Sequence, residues 1–159
     1  MKRISIILIS LIILFAFSAC TNSPELSDVK ATDMAASLKE ATVFVDDMLE
    51  ISDAVAADFY NLPDGVTEMK VYMSSSGATA EELAVFKCDN ADTVDLVVKA
   101  CEKRIEDLKE KFEDYIPGEL AKIDNAVIKQ RDAFVTFVCA DSTVPAEEKF
   151  EDYKYYRAE

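Results

Sequence analysis

The feature that most constrains the fold is one long amphipathic segment that separates two pairs of alternating segments. From about residue 92 to residue 115, apolar side chains recur in steps of four and three residues, which predicts a helix that lays one face on a core. The stripe consists of Val94, Val98, Cys101, Ile105, Leu108, Phe112 and Tyr115. Pro117 disfavours helical geometry at Ile116, so the helix is expected to end there.

Strand periodicity marks the segments on either side of this helix. Residues 67–74 alternate apolar and polar side chains, and a turn rich in Ser and Gly separates them from the apolar run at 83–88. Residues 127–131 and 134–140 repeat the arrangement after the helix. Each pair predicts an antiparallel hairpin.

The rest of the chain from residue 32 onward has mainly helical patterns. Helices are expected at 32–51, at 52–62, at 119–125, and from Pro145 onward with Phe150 and Tyr153 on its inner side. The expected fold class is therefore α+β: an antiparallel sheet of two β-hairpins with a long helix between them, and N-terminal and C-terminal helices packed on one face.

The first twenty residues have the pattern of an export signal. Lys2 and Arg3 precede an apolar run from residue 4 to residue 17 that is too short for a spanning helix, which needs about 20 apolar residues. The run ends in Phe17-Ser18-Ala19-Cys20, which resembles the bacterial lipobox, although Phe17 stands where Leu is usual. In that signal the thiol of the cysteine receives a diacylglyceryl group.

This resemblance predicts the organisation of the chain. Residues 1–19 would be a lipoprotein signal peptide, residues 20–31 a lipidated flexible tether, and residues 32–159 a single domain. Palmitate-type chains on Cys20 would anchor the exported domain to the outer face of the cytoplasmic membrane, since two acyl chains give stable attachment. An uncleaved signal anchor and an ordinary secreted protein are the alternatives.

Composition excludes several classes of function. The chain has no His, which removes His-based triads and His-ligated metal sites. Its three Gly residues cannot form a dinucleotide-binding or Walker A loop. A formal net charge of −14 argues against nucleic acid as a partner, because such proteins present a basic patch.

Three cysteines remain after Cys20 is assigned to lipid. Cys88 and Cys139 lie near predicted strand ends, and a disulfide between them would suit an exported protein. The alternative is that these two and Cys101 are small buried thiols.

The acidic residues indicate a solvated surface rather than a metal or catalytic site. Asp46, Glu50 and Asp53 are spaced so that they would share one face of a helix. Asp89, Asn90 and Asp92 precede the long helix, where such side chains act as N-caps. No cofactor, metal or catalytic residue is expected.

Three stretches resemble a family of bacterial lipoproteins. They are the segment from Tyr72 to Lys87 (YMSSSGATAEELAVFK), the helix that carries Lys103-Arg104 and continues to Pro117, and the hairpin after Asn125. The family is domain of unknown function 4358, and the resemblance spans about residues 46–155. It implies export but no activity, so no catalytic residue can be transferred to this chain.

These observations favour a non-enzymatic, membrane-anchored extracytoplasmic domain that binds an unidentified protein or small ligand. A small solute-binding lipoprotein accessory to a transporter is one alternative, and a carboxylate-based hydrolase is another. The aromatic tail with Tyr153, Tyr155 and Tyr156 is either a binding surface or the cover of a core at a helix end.

Overall fold

A five-stranded antiparallel sheet forms the middle layer of the computed structural model, which describes residues 29–153. The strands are β1 (Met48–Glu50), β2 (Val66–Ser74), β3 (Glu82–Cys88), β4 (Val127–Arg131) and β5 (Phe134–Cys139), in the spatial order β1-β2-β3-β5-β4. The helices are α1 (Ala31–Ala41), α2 (Asp53–Tyr60), α3 (Ala91–Glu113), α4 (Leu120–Asp124) and α5 (Val144–Asp152), with a 3₁₀ turn at Pro117–Glu119.

Each face of the sheet covers a separate core. On one face α1 and α5 pack against Leu83, Val85 and Phe134. On the other face α2, α3 and α4 enclose Phe86 and Phe137. The central strands β3 and β5 are therefore buried on both sides, which is why they are almost wholly apolar. The predicted α+β class is confirmed, with the terminal helices on one face and the long helix on the other.

The first helix is shorter than predicted, and a strand replaces its second half. Helix α1 stops at Ala41, because Thr42 adopts an extended conformation and its hydroxyl donates to the Leu38 carbonyl at 2.7 Å. β-branched residues follow, and these favour extended backbone. Met48–Glu50 then pairs with β2 as an edge strand. The expected acidic helix face of Asp46, Glu50 and Asp53 therefore does not exist.

The long helix is confirmed, but the centre of its buried stripe differs. Val97 and Arg104 are fully or almost fully buried, while Val98 and Ile105 are only partly covered. Tyr115 lies beyond the helix and is 66% exposed. The N-cap is Asn90, one of the three residues predicted as caps, and its side chain accepts a hydrogen bond from the Thr93 amide at 2.9 Å.

The last helix faces inward as expected. Phe150 and Tyr153 are buried, and the Tyr153 hydroxyl donates to the Asp33 carbonyl at 3.1 Å. Tyr155, Tyr156 and Cys20 lie outside the described residues. Among residues 29–153, no helix has the length and apolar character that a membrane span requires.

We expect Gly65→Ala to destabilise the domain. Gly65 has a φ of +99°, and an added Cβ would lie 2.6 Å from the side-chain oxygens of Asp89 and Thr93. A side chain in such a conformation costs about 1–3 kcal/mol. Urea unfolding of the variant measures this loss, and Gly118→Ala is the matched control, because its Cβ would meet nothing within 4 Å. Equal stability of the two variants would contradict the prediction.

Candidate functional site

The loop between β2 and β3 joins loops from other parts of the chain at one end of the sheet. The Ser75 amide donates to the Asp47 carbonyl at 2.8 Å, which ties the loop to the segment before β1. The Ala80 amide donates to the Glu119 carboxylate at 2.8 Å, which ties it to the 3₁₀ turn. The segment from Tyr72 to Lys87, one of the three that carry the family resemblance, thus contains the loop at which these segments meet.

Glu82 begins β3 with its carboxylate buried beneath α3. The Arg104 guanidinium donates to both of its oxygens, from Nε at 3.1 and 3.2 Å and from Nη2 at 2.8 Å, and the Tyr60 hydroxyl donates to Oε1. The side chain of Glu82 is 1% exposed and that of Arg104 is 9% exposed. Burial and the charge of Glu82 raise the pKa of Tyr60 well above its usual value. Tyr60 therefore stays a neutral donor.

Glu81 and Lys122 are the buried centre of a second charged group, which also includes the partly exposed Glu119 and the exposed Asp141. We call these four residues the ionic cluster. The Glu81 carboxylate accepts from the amides of Val45 and Asp46 at 2.8 and 2.9 Å. Lys122 reaches Glu119 at 3.1 Å, and Glu81 and Asp141 at 3.4 Å each. Burial alone would lower the pKa of Lys122, but these three carboxylates raise it, so Lys122 remains a cation.

Asp46 organises the serines of the β2–β3 loop. Its carboxylate accepts from the hydroxyls of Ser74 and Ser76, from the Ser76 amide at 3.0 Å, and from the Ser75 hydroxyl at 3.5 Å. Hydrogen bonds from Ser74 and Ser76 lower the pKa of Asp46 far below its ordinary value. Asp46, expected on a solvated helix face, is instead a hydrogen-bond acceptor that shapes a loop.

The described chain enters the domain at the opposite end of the sheet. The Val29 carbonyl accepts from Lys87 Nζ at 2.9 Å, and the Ala31 amide donates to Glu68 at 2.9 Å. Glu68 pairs with Lys87 at this end of β2 and β3, and Met73 pairs with Glu82 near the other end. The two pairs are five residue steps apart along the strands, which is about 17 Å.

The loops at the end of the sheet far from this entry point are 42–47, 75–81, 114–119 and 140–143. We call them the distal loops.

The structure contradicts the hypothesised disulfide between Cys88 and Cys139. Cys139 pairs with Glu82, at the other end of β3 from Cys88, so strand geometry separates the two by about 20 Å. A disulfide needs Cα atoms within about 7 Å. Cys88, Cys101 and Cys139 are all buried free thiols, which was the alternative interpretation.

We expect these three thiols to be unreactive in the folded protein. Burial raises the pKa of Cys88 to about 11 and that of Cys139 to about 12, so at pH 8 only about one Cys88 in a thousand is the reactive thiolate. Iodoacetamide treatment of a chain that begins at Thr21, followed by intact mass measurement, should show no rapid adduct before unfolding and three adducts in guanidinium chloride. Fast alkylation of the folded chain would contradict this.

The site offers little space for a substrate. The cavity beside Arg104, between Gly77, Thr79 and Phe112, has a volume of about 40 Å³. That is room for a few water molecules. Among residues 29–153, no group of three or more Cys, Asp and Glu side chains could hold a metal ion.

The site residues predicted from the sequence do not include Glu81, Glu82, Arg104 or Lys122. A signal was present for Glu82, because an acidic residue directly precedes the apolar run of a central strand. Arg104 lies close to the apolar stripe of α3, but a helical pattern cannot show which cation is buried. Lys122 lies on a helix of only five residues, where periodicity carries almost no information.

Comparison with known proteins identifies a family. The family model whose description is "Domain of unknown function (DUF4358)" matches residues 41–140. This range includes all five strands of the sheet, α3 and three of the four members of the ionic cluster, with Asp141 just outside it. No curated protein matches the chain, and no solved structure matches it. The chain belongs to the family of domain of unknown function 4358.

Proposed function

We propose that this protein is a lipid-anchored extracytoplasmic binding protein, whose distal loops form the surface that contacts a partner. The observation that carries the proposal is the ionic cluster, which holds these loops together. The proposed anchor is Cys20, which the sequence places at the end of a short apolar run and directly after Ser18-Ala19.

The ionic cluster supports a rigid binding surface. Four loops that are far apart in sequence meet at Glu81 and Lys122, through the amides of Val45 and Asp46, through Glu119 and through Asp141. The pair between Glu81 and Lys122 is buried, and a buried ion pair is a poor source of net stability, because removing the charges from water costs several kcal/mol per ion. We therefore propose that this pair fixes the conformation of the loops rather than adding stability. A preorganised surface binds with a smaller loss of entropy.

The distal loops present exposed apolar side chains in a strongly acidic protein. Val43 is 79% exposed, Val45 is 71% exposed, and Tyr115 is 66% exposed. Exposed aromatic and aliphatic groups in one region are typical of protein–protein contact sites. A chain held at Cys20 would enter the domain near Lys87, so the distal loops would point away from the membrane.

The proposal includes no catalysis. The Glu82 carboxylate is matched by Arg104 and Tyr60, and the Glu81 carboxylate by two amides, Thr79 and Lys122. Neither carboxylate is free to act as a general acid or base toward a bound substrate. This supports a structural role for both groups.

We expect Cys20→Ala to abolish lipid modification of the chain and the cleavage before residue 20 that depends on it. Cells that grow with labelled palmitate should label the wild-type chain and not the variant, because only the thiol can form the thioether. The wild-type chain should fractionate with membranes, and the variant should not be labelled or processed at residue 20. Labelling of the variant would contradict the proposed anchor.

The binding surface can be tested by crosslinking in cells. A photoreactive residue at Val45 or at Tyr115 should capture the same partner protein, whereas one at Asp64 or Asp132, at the other end of the domain, should not. Capture from all four positions, or from the control positions alone, would reject the distal loops as the contact surface.

A further inference from the structure

The outer edge of β4 is unpaired in the described structure. β4 is the last strand of the sheet and bonds only to β5, in register from Val127 opposite Val138 to Arg131 opposite Phe134. Among residues 29–153, no backbone hydrogen bond joins residues 127–131 to any segment other than β5. Such an edge is a template for one more strand. The other edge strand, β1, has only three residues.

An acidic groove runs beside this edge. It has a volume of about 540 Å³, and its lining consists of Lys129, Val144, Glu147, Glu148, Glu151 and Asp152. Lys129 pairs with Glu147 at 2.7 Å. Glu148 and Asp152 are exposed and make no ion pair with any described residue. The groove therefore carries an excess of negative charge.

Contacts from β4 fix the position of α5, which forms one side of the groove. The Arg131 guanidinium donates to the carbonyls of Phe150 and Glu151 at 3.1 and 3.2 Å, and it also binds the Glu151 carboxylate. The Phe150 ring is buried in the core beneath α5. The acidic face of α5 is thus fixed relative to the strand edge.

The distance between successive charged side chains on β4 is close to the distance between their partners on α5. Lys129 pairs with Glu147, and Arg131 pairs with Glu151. Residues two apart on a strand span about 6.8 Å, and residues four apart on a helix span about 6 Å. Glu148 and Asp152 are also four apart, one position further along the helix. Two basic side chains at alternate positions of an added strand would meet them in the same way.

We propose that the outer edge of β4 and the groove along α5 bind an extended segment of a partner protein that carries basic residues at alternate positions. The segment adds a sixth strand to the sheet through backbone hydrogen bonds. Its Lys or Arg side chains on the α5 side pair with Glu148 and Asp152. This site is separate from the distal loops, and it does not depend on the function proposed for them.

The test uses the chain from residue 20 to residue 159 with Cys20→Ser, and a fluorescent peptide that alternates Lys with Val. We expect saturable binding by fluorescence anisotropy at low salt, and new protection of β4 amides from hydrogen exchange. The double variant Glu148→Lys, Asp152→Lys should weaken binding at least tenfold. The control is Glu110→Lys, Glu113→Lys, which makes the same charge change on exposed α3 residues and should leave binding unchanged.

Peptides with N-methyl groups on alternate residues separate strand addition from simple charge attraction. One of the two methylated sets should lose affinity and the other should keep it, because only every second amide of an added strand points to β4. Equal affinity of both sets and the parent would overturn the proposal. So would equal binding of a Glu–Val peptide, or equal loss in the two charge variants.

Discussion

Arg104→Met should be among the most destabilising single substitutions in this domain, with a loss of about 3–5 kcal/mol in the free energy of unfolding. Met approximates the aliphatic part of Arg104 but removes the guanidinium that satisfies both oxygens of Glu82. The Glu82 carboxylate would remain buried with the Tyr60 hydroxyl as its only described side-chain donor. Urea unfolding followed by circular dichroism measures the loss.

Two further variants test whether the loss of stability comes from an uncompensated buried charge. Lys103→Met changes the neighbouring residue, whose ion pairs with Glu106 and Asp107 are exposed, and it should cost less than about 1 kcal/mol. The triple variant Tyr60→Phe, Glu82→Leu, Arg104→Met removes all three polar groups together and should recover most of the stability. If the triple variant were as unstable as Arg104→Met, lost packing rather than an uncompensated charge would be the cause.

Lys122→Met should have the second large effect, with a loss of about 3 kcal/mol and a selective loosening of the distal loops. Lys122 is the only described cation within reach of Glu81, Glu119 and Asp141, and its side chain is 6% exposed. Without it, three carboxylates near one another would repel, and the loops that they hold would separate.

Hydrogen exchange distinguishes this effect from a general loss of stability. The amides of Val45, Asp46 and Ala80 donate to Glu81 and Glu119, so their exchange should accelerate more than that of amides in α3. Lys109→Met is the matched control, because Lys109 forms an exposed pair with Asp124 and its loss should change neither stability nor loop exchange appreciably. Uniform acceleration across the domain would contradict the assigned role.

Long periodic segments could be predicted because their pattern is repeated many times. The observed α3 lies within two residues of the prediction at each end, and β4 has the predicted bounds. The helix predicted over residues 42–50 was wrong, because this segment is short and its pattern is not repeated. Its apolar spacing fits a helix and a short strand equally well, and contacts with Glu81 and β2 decided between them.

The candidate site was harder to predict from the sequence than the fold, because its partner residues are far apart along the chain. Asp46 could be seen as an acidic residue, but its serine partners are 28 to 30 positions away. Glu81 and Lys122 are 41 positions apart. Partners of this kind are chosen by the way that strands and helices bring distant segments together, which no local pattern records.

Local patterns in the sequence predict the α+β class, the two hairpins and the central helix, with Asn90 among three candidate caps, because periodicity and capping act over a few neighbouring residues. The sequence also contains Ser18-Ala19-Cys20, whose resemblance to a lipobox supports the proposed anchor. The packing of distant segments decided that the sheet has a fifth strand and that the thiols are far apart. It also decided that Glu81, Glu82, Arg104 and Lys122 are buried partners, since burial and pairing of charges depend on which distant side chains share the interior.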